Sequence, residues 1–279
     1  MKRVFIVGCA RSGTTLLQSI VASHPEIQSF PETHFISKIR SKGWRRFLGA
    51  ARKGSRKRFE AFLKAIERPD LNRLSLFAWS ERQYIYQFIE TLDRVAAENK
   101  KRCWVEKTPI YLHHIDFIEK YVDQAKFIHI FRSGEDVVAS MYQVTHQYPQ
   151  HWGGKRDIEK CISCWNEDIQ ISCGNFGRKR HLFVEYEFLM ENTEKFLKAF
   201  CAFCELPFVD NMMNHRKNSV GIIVKSHEKW KSRVSRDITK NKNRKFDYVF
   251  NEEQKAFIRE SLEYQHYEKL REAVLKMYL

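Results

Sequence analysis

Residues 3–15, Arg-Val-Phe-Ile-Val-Gly-Cys-Ala-Arg-Ser-Gly-Thr-Thr, constrain the fold of this 279-residue chain more than any other stretch. The run 4–7 is short, apolar and rich in β-formers, as a central parallel strand covered on both faces is. Gly8 and Gly13 bracket four residues, and a helical pattern starts at Thr14. A turn of this kind points successive backbone N–H groups inward, and the helix dipole adds partial positive charge, so it holds an anion. The spacing is that of a nucleotide phosphate loop with one departure. Thr14 stands where the usual lysine follows the second glycine, and the nearest cation is Arg11, inside the loop.

Further apolar runs predict strands over 27–30, 102–106, 126–131 and 181–185. Helical periodicity falls between them, over 14–23, 80–99, 112–122, 135–147, 158–173 and 193–204, and again over 252–277. Strands alternating with helices imply βαβ units and a parallel sheet. The expected class is therefore α/β, a central parallel sheet flanked by helices in three α/β/α layers, with a P-loop-like nucleotide-binding fold. The chain reads as a single domain over 1–279, in which 36–100 is a helical insertion covering the active-site cleft. Residues 149–154 and 207–221 read as loops.

The net charge of +15 is concentrated. Residues 38–58 carry ten Lys/Arg and no acid, and residues 225–245 carry nine against Glu228 and Asp237. Such clusters attract polyanions: nucleic acid, an anionic membrane surface, sulfated or phosphorylated glycans, or a multiply phosphorylated nucleotide. No apolar stretch approaches the roughly 20 residues that span a bilayer, and the first strand runs straight into Gly8-Cys9-Ala10, unlike a signal peptide. Seven cysteines, an odd number, suggest free thiols and a cytoplasmic location. Cys161/Cys164 and Cys201/Cys204 are spaced i, i+3 within helical patterns, which favours core packing over zinc.

In open parallel sheets ligands lie beyond the carboxyl ends of the strands. Here those ends are polar: Gly8–Gly13, then Glu106-Lys107-Thr108, Arg132-Ser133-Gly134 and Glu185-Tyr186-Glu187. Arg132 ends an apolar run, and Ser140 lies two turns into the following helix. A guanidinium fork and a hydroxyl can converge there on one phosphate. With the anion loop, this implies a ligand bearing two separated anionic groups.

Arg11-Ser12-Gly13-Thr14-Thr15, together with Phe131-Arg132-Ser133-Gly134-Glu135-Asp136 and Ser140, resembles the two nucleotide-binding signatures of the sulfotransferases that use 3′-phosphoadenosine 5′-phosphosulfate (PAPS). His24-Pro25, Pro31-Glu32-Thr33, Glu106-Lys107-Thr108-Pro109 and Glu185-Tyr186-Glu187-Phe188-Leu189 are similar to the branch holding protein-tyrosine, carbohydrate and many bacterial members. The resemblance covers 3–35 and 103–206 well, and 36–100 and the chain after 210 weakly. It implies that Arg11, Ser12, Gly13, Thr14 and Thr15 bind the 5′-phosphosulfate. Arg132 and Ser140 would then hold the 3′-phosphate, Tyr186 pack near the nucleotide, and Arg11 and Lys107 neutralise charge on the leaving phosphate. It implies PAPS as donor with no metal required, and a hydroxyl-bearing acceptor, open to an anionic one.

Glu32 is the candidate base. Between Phe30, Pro31 and Phe35, desolvation is expected to raise a carboxylate from about 4.3 toward a useful range. Small-molecule sulfotransferases place a His two residues after the strand-end lysine; here that position is Pro109. In the tyrosylprotein branch an Arg follows the helix serine by four residues; here it is Val144, so a third contact to the 3′-phosphate is sought in Trp230-Lys231-Ser232-Arg233. The alternative is a P-loop nucleotide kinase or NTPase with Glu106 or Glu185 as Mg²⁺ ligand. A nucleic-acid binder is set aside, since charge alone leaves the glycine loop unexplained. Peripheral membrane contact through the basic segments stays open.

Overall fold

The structure, a computed structural model, describes residues 1–39, 50–72, 80–210, 212 and 244–278. Five strands make one sheet: β1 (Lys2–Val7), β2 (Ile27–Phe30), β3 (Cys103–Lys107), β4 (Ala125–Phe131) and β5 (His181–Glu185). Their order is β2-β3-β1-β4-β5, and every neighbouring pair is parallel. The central β1 has β3 on one side and β4 on the other. The crossovers therefore diverge at its carboxyl end, where a crevice opens in sheets of this kind.

Alternation along β1 divides the core. Val4 and Ile6 pack on one face with Val105, Ile128, Ile130, Leu17, Ile20, Phe196 and Phe200. That layer comes from α1 (Thr14–Val21), α9 (Tyr186–Glu191) and α10 (Thr193–Cys204). Phe5 and Val7 point to the other face, with Trp104, Phe127, Phe35, Phe59 and Phe88. There α2 (Phe35–Ile39), α3 (Ala50–Ala65), α4 (Glu81–Glu98) and α5 (Ile115–Tyr121) supply the cover. Strands buried on both faces read as continuous apolar runs, which is why a period-2 pattern is missing from them. Ser80 starts α4 with a reciprocal capping box to Gln83. A third cluster joins α6 (Gly134–Gln147) and α8 (Ile158–Gly174) to the C-terminal helices through Val137, Trp165, Phe250, Ile258 and Leu270.

Two expectations need correction. The helix expected over 252–277 is broken into Glu252–Ser261 and Tyr264–Tyr278. Leu262 leaves the helical conformation (φ −80°, ψ 126°) and buries its side chain against the Gly134–Trp165 region. Asn166 of α8 stabilises the break: its Nδ2 donates to Ser261 O at 3.0 Å and its Oδ1 accepts from Glu263 N–H at 3.1 Å. The segment read as a loop at 149–154 contains α7 (Pro149–Trp152), started by proline at its first position and stopped by Gly153 at φ 72°. The expected loop over 207–221 and the basic segment 225–245 lie largely outside the described residues. Cys161, Cys201 and Cys204 are buried in apolar clusters, as the i, i+3 spacing implied.

The glycine loop packs without slack. A Cβ at Gly8 (φ 147°) would lie 2.2 Å from the carbonyl oxygen of Ile130 on β4, an atom of the sheet ladder that has no room to retreat. Gly54, inside α3, has nothing within 4 Å of the same position. Thermal unfolding should therefore move in opposite directions for two like substitutions. Gly8→Ala is expected to destabilise by about 2–4 kcal/mol, and Gly54→Ala to stabilise by about 0.5–1 kcal/mol.

Candidate active site

The loop after β1 turns through positive φ at Gly8 (147°), Arg11 (78°) and Gly13 (95°). Gly13 is the N-cap of α1, no side chain caps that end, and no acid lies in its first turn. The helix thus presents free N–H groups and its positive dipole end to the crevice. Gly13 also lies against the Tyr186 ring, which a Cβ would meet at 2.4 Å. Any side chain there would push apart the loop and the end of β5.

Arg11 reaches across the crevice, and its Nε donates to Ser140 Oγ at 3.2 Å. Its guanidinium carbon lies 6.0 Å from the centroid of Trp152, whose ring also lies 6.0 Å from the Arg156 guanidinium. Arg132, at the end of β4, stacks over Tyr186 at 4.2 Å. It is held by Asp136 at 3.0 Å and faces Glu187 Oε1 at 3.5 Å, while Trp165 Nε1–H donates to its carbonyl at 3.0 Å. Lys107, fully buried at the end of β3, donates to Thr15 Oγ1 at 3.2 Å and contacts the Glu32 carboxylate. His34 Nε2 lies 3.3 Å from the other Glu32 oxygen.

Two polar atoms of the crevice are under-satisfied. Ser12 Oγ in the loop is buried and makes no hydrogen bond in the protein, and Arg132 Nε at the end of β4 is buried with only the 3.5 Å ion-pair contact to Glu187 Oε1. Buried donors without hydrogen bonds are rare and costly. Here they sit at two separate cationic positions, one in the glycine loop and one on the neighbouring strand.

Acidic groups brace the site. Glu187 is pushed up to about 7 by desolvation, partly offset by the Arg132 guanidinium. Burial likewise pushes Glu106 up to about 7, although hydrogen bonds from Thr108 and Thr33 oppose it.

A sequence model described as the sulfotransferase family matches residues 3–210. The chain belongs to the sulfotransferase family. It is 25% identical over 219 residues to protein-tyrosine sulfotransferase A of Caenorhabditis elegans, covering 77% of this chain and 52% of that one. With the protein-tyrosine sulfotransferase of Drosophila melanogaster it shares 22% over 222 residues, 78% of this chain and 40% of the relative. This sulfotransferase chain therefore spans about half the length of the curated relatives it matches. The fold is shared with the sulfotransferase domain of the Synechococcus PCC 7002 olefin synthase (TM-score 0.55, 22% identity, 94% of both chains). It is shared also with mouse sulfotransferase SULT7A1 complexed with PAP (TM-score 0.52, 14% identity, 93% of this chain and 82% of that one). The expected family and α/β fold are thus the observed ones.

Of the residues singled out in the sequence, Arg11, Ser12, Gly13, Thr14, Thr15, Glu32, Lys107, Arg132, Ser140 and Tyr186 all lie at the carboxyl edge of the sheet. The contacts just described link Arg11 with Ser140, Lys107 with Thr15 and Glu32, and Tyr186 with Gly13 and Arg132. Lys231 lies outside the described residues. The apolar setting expected for Glu32 is not what the structure shows. Phe30 and Phe35 point into the core against Phe62 and Phe59, and the Glu32 carboxylate instead meets Lys107 and His34. Sequence reasoning gave no role to His34, Trp152 or Glu187, although Glu187 stands in the strand-end run 185–187. Asp136, in the first turn of α6 and four residues after Arg132, stands in the run 131–136 that carried the resemblance.

The raised Glu106 group makes a signed prediction. Its folded value of about 7 exceeds its ordinary 4.5, so the unfolded chain releases this proton first as pH rises. Stability from the group is full below about 4.5 and lost by about 7, on the order of 3 kcal/mol. Between pH 5 and pH 8 the unfolding free energy of Glu106→Gln should fall less than that of the wild type. Parallel profiles would contradict the assignment.

Proposed function

We propose that the protein transfers the sulfuryl group of PAPS to a hydroxyl, with Glu32 taking the acceptor's proton. The observation that carries this reading is the pair of buried donors, Ser12 Oγ and Arg132 Nε, at two separate cationic positions. A nucleotide with an anion at each end of its ribose satisfies both.

The loop N–H groups with Ser12, Thr14, Thr15 and Arg11 are assigned to the phosphosulfate end. Arg132 and Ser140 are assigned to the 3′-phosphate, with Tyr186 as the flat wall beside them. When bound, PAPS supplies an activated sulfuryl group on a phosphate leaving group. The protein's part is to fix both ends, to set Arg11 and Lys107 against developing negative charge, and to hold a proton acceptor at the Glu32 carboxylate. Lys107 suits this arrangement because one ammonium touches both Thr15 at the loop and Glu32.

The kinase alternative needs a strand-end carboxylate open to Mg²⁺. Glu106 is fully buried, and its Oε1 accepts hydrogen bonds from Thr33 and Thr108. Glu185 accepts from the Tyr267 hydroxyl and pairs with Arg271 at 3.2 Å. Neither carboxylate faces the crevice as a metal ligand would, which favours the sulfotransferase reading. The curated relatives named protein-tyrosine sulfotransferases favour a tyrosyl hydroxyl as the first acceptor to try, ahead of glycans and other metabolites. Among the described residues no helix is long and apolar enough to cross a membrane.

Labelled PAPS offered with tyrosyl peptides, glycans and phenols should yield a sulfated product, at a rate unchanged by EDTA. Arg11→Ala should lower kcat about 10²–10³-fold, the cost of removing a group that stabilises transition-state charge. Absence of transfer to every hydroxyl, or unchanged turnover in Arg11→Ala, would contradict the proposal.

A further inference from the structure

We propose that Glu106 is a positioning residue that fixes the Glu32 carboxylate in the cleft by anchoring Thr33. The inference rests on the reading of Glu32 as the base. Pairing of β2 with β3 ends at Phe30 opposite Glu106, and the next residue, Pro31, has no N–H to donate. Glu32 and Thr33 therefore lie past the end of the ladder, where regular strand hydrogen bonds no longer set their position.

Two adjacent side chains of β3 replace that ladder. Lys107 grips Glu32, and Glu106 grips Thr33. All but Glu32 are buried, with Glu106 and Lys107 at 0% exposure and Thr33 at 3%. Glu106 Oε1 accepts three hydrogen bonds: from Thr108 Oγ1 at 2.6 Å, Thr33 Oγ1 at 3.0 Å and Thr33 N–H at 3.3 Å. The network continues to Tyr111, whose hydroxyl lies 2.7 Å from Thr33 Oγ1 and accepts from Ile36 N–H at 2.9 Å. A backbone N–H can only donate, and Thr33 spends its one hydroxyl proton on Glu106. The order of donation is therefore Ile36 to Tyr111, Tyr111 to Thr33, and Thr33 to Glu106. One carboxylate oxygen terminates the chain that ties β3, the Glu32 segment and the start of α2 together.

An acceptor, rather than an apolar side chain, is required here. Burying a carboxyl costs stability, as its displaced titration shows, but an apolar side chain would leave the converging donors short of a partner. The three donors converging on Oε1 need an acceptor at that point. Oε2 is buried and makes no hydrogen bond. A glutamine carbonyl in the place of Oε1 thus keeps all three donors satisfied, which gives the test a conservative rescue.

The full chain is assayed for kcat, KM for PAPS and PAP affinity, with the hydroxyl acceptor of highest turnover from the panel above. Glu106→Ala is expected to lower kcat about 100-fold, the cost of displacing a reacting group by about 1 Å. PAP affinity should hold within about twofold, and Glu106→Gln should retain kcat within about tenfold. In a Glu32→Gln background the same Glu106→Ala change should cost less than about threefold, because the group it positions is already gone. Thr33→Val should reproduce the kcat loss and Thr33→Ser should restore it, which tests the same contact should Glu106→Ala fail to fold. An equal loss in both backgrounds, a matching loss of PAP affinity, or wild-type kcat in Thr33→Val would each overturn the proposal. If Glu32→Gln alone leaves kcat intact, it is the base assignment that fails.

Discussion

The cleft depends on a backbone that turns left-handed at Gly8, Arg11 and Gly13 within six residues. Arg11 adopts this conformation despite its Cβ, at a cost of roughly 1–2 kcal/mol. The conformation aims the N–H groups of the loop inward and sends the Arg11 guanidinium across to Ser140 on α6. The turn survives because its surroundings leave no other path. Ile130 O closes off Gly8, and the Tyr186 ring closes off Gly13. Those two neighbours belong to β4 and the end of β5, so the sheet order itself holds the loop in shape.

Around this loop Arg132, Lys107 and Arg11 already have acidic or hydroxyl partners. Arg132 rests on Asp136 and Glu187, Lys107 on Glu32 and Thr15, and Arg11 on Ser140. Long charged side chains lose much entropy when ordered, so bracing them before a ligand arrives lowers the cost of binding. The same bracing leaves Ser12 Oγ and Arg132 Nε without hydrogen bonds in the protein. In the proposed function, a nucleotide carrying two separated anionic groups would complete both. Preorganisation and incompleteness together point to this ligand class more strongly than net charge does.

Much of the fold was legible because buried parallel strands announce themselves as apolar runs. Strands β2 and β5 fall on the expected 27–30 and 181–185, and the others shift by one or two residues at their ends. The break at Leu262 was not legible. Apolar periodicity continues through it, and the Asn166 side chain that stabilises it comes from almost a hundred residues away. At the site, the glycine spacing, the missing lysine and Arg132 were readable because each carries its chemistry locally. The roles of Glu187, Trp152 and His34 were not, since each depends on a partner fixed by tertiary packing. Glu106 shows the limit best. As a strand-end carboxylate it suggested a Mg²⁺ ligand, and only the positions of Thr33, Thr108 and Tyr111 reveal it as an internal acceptor.

Whether Arg132 and the glycine loop bind two anions on one nucleotide is decided by calorimetric titration of the wild type and Arg132→Ala with PAP and AMP, which differ only by the 3′-phosphate. Charge-assisted contacts to that phosphate are worth about 1.5–3 kcal/mol. The wild type should therefore prefer PAP by at least about tenfold, and Arg132→Ala should erase that preference while leaving AMP affinity nearly unchanged. Equal affinity of the wild type for PAP and AMP, or a PAP preference that survives Arg132→Ala, would overturn this reading.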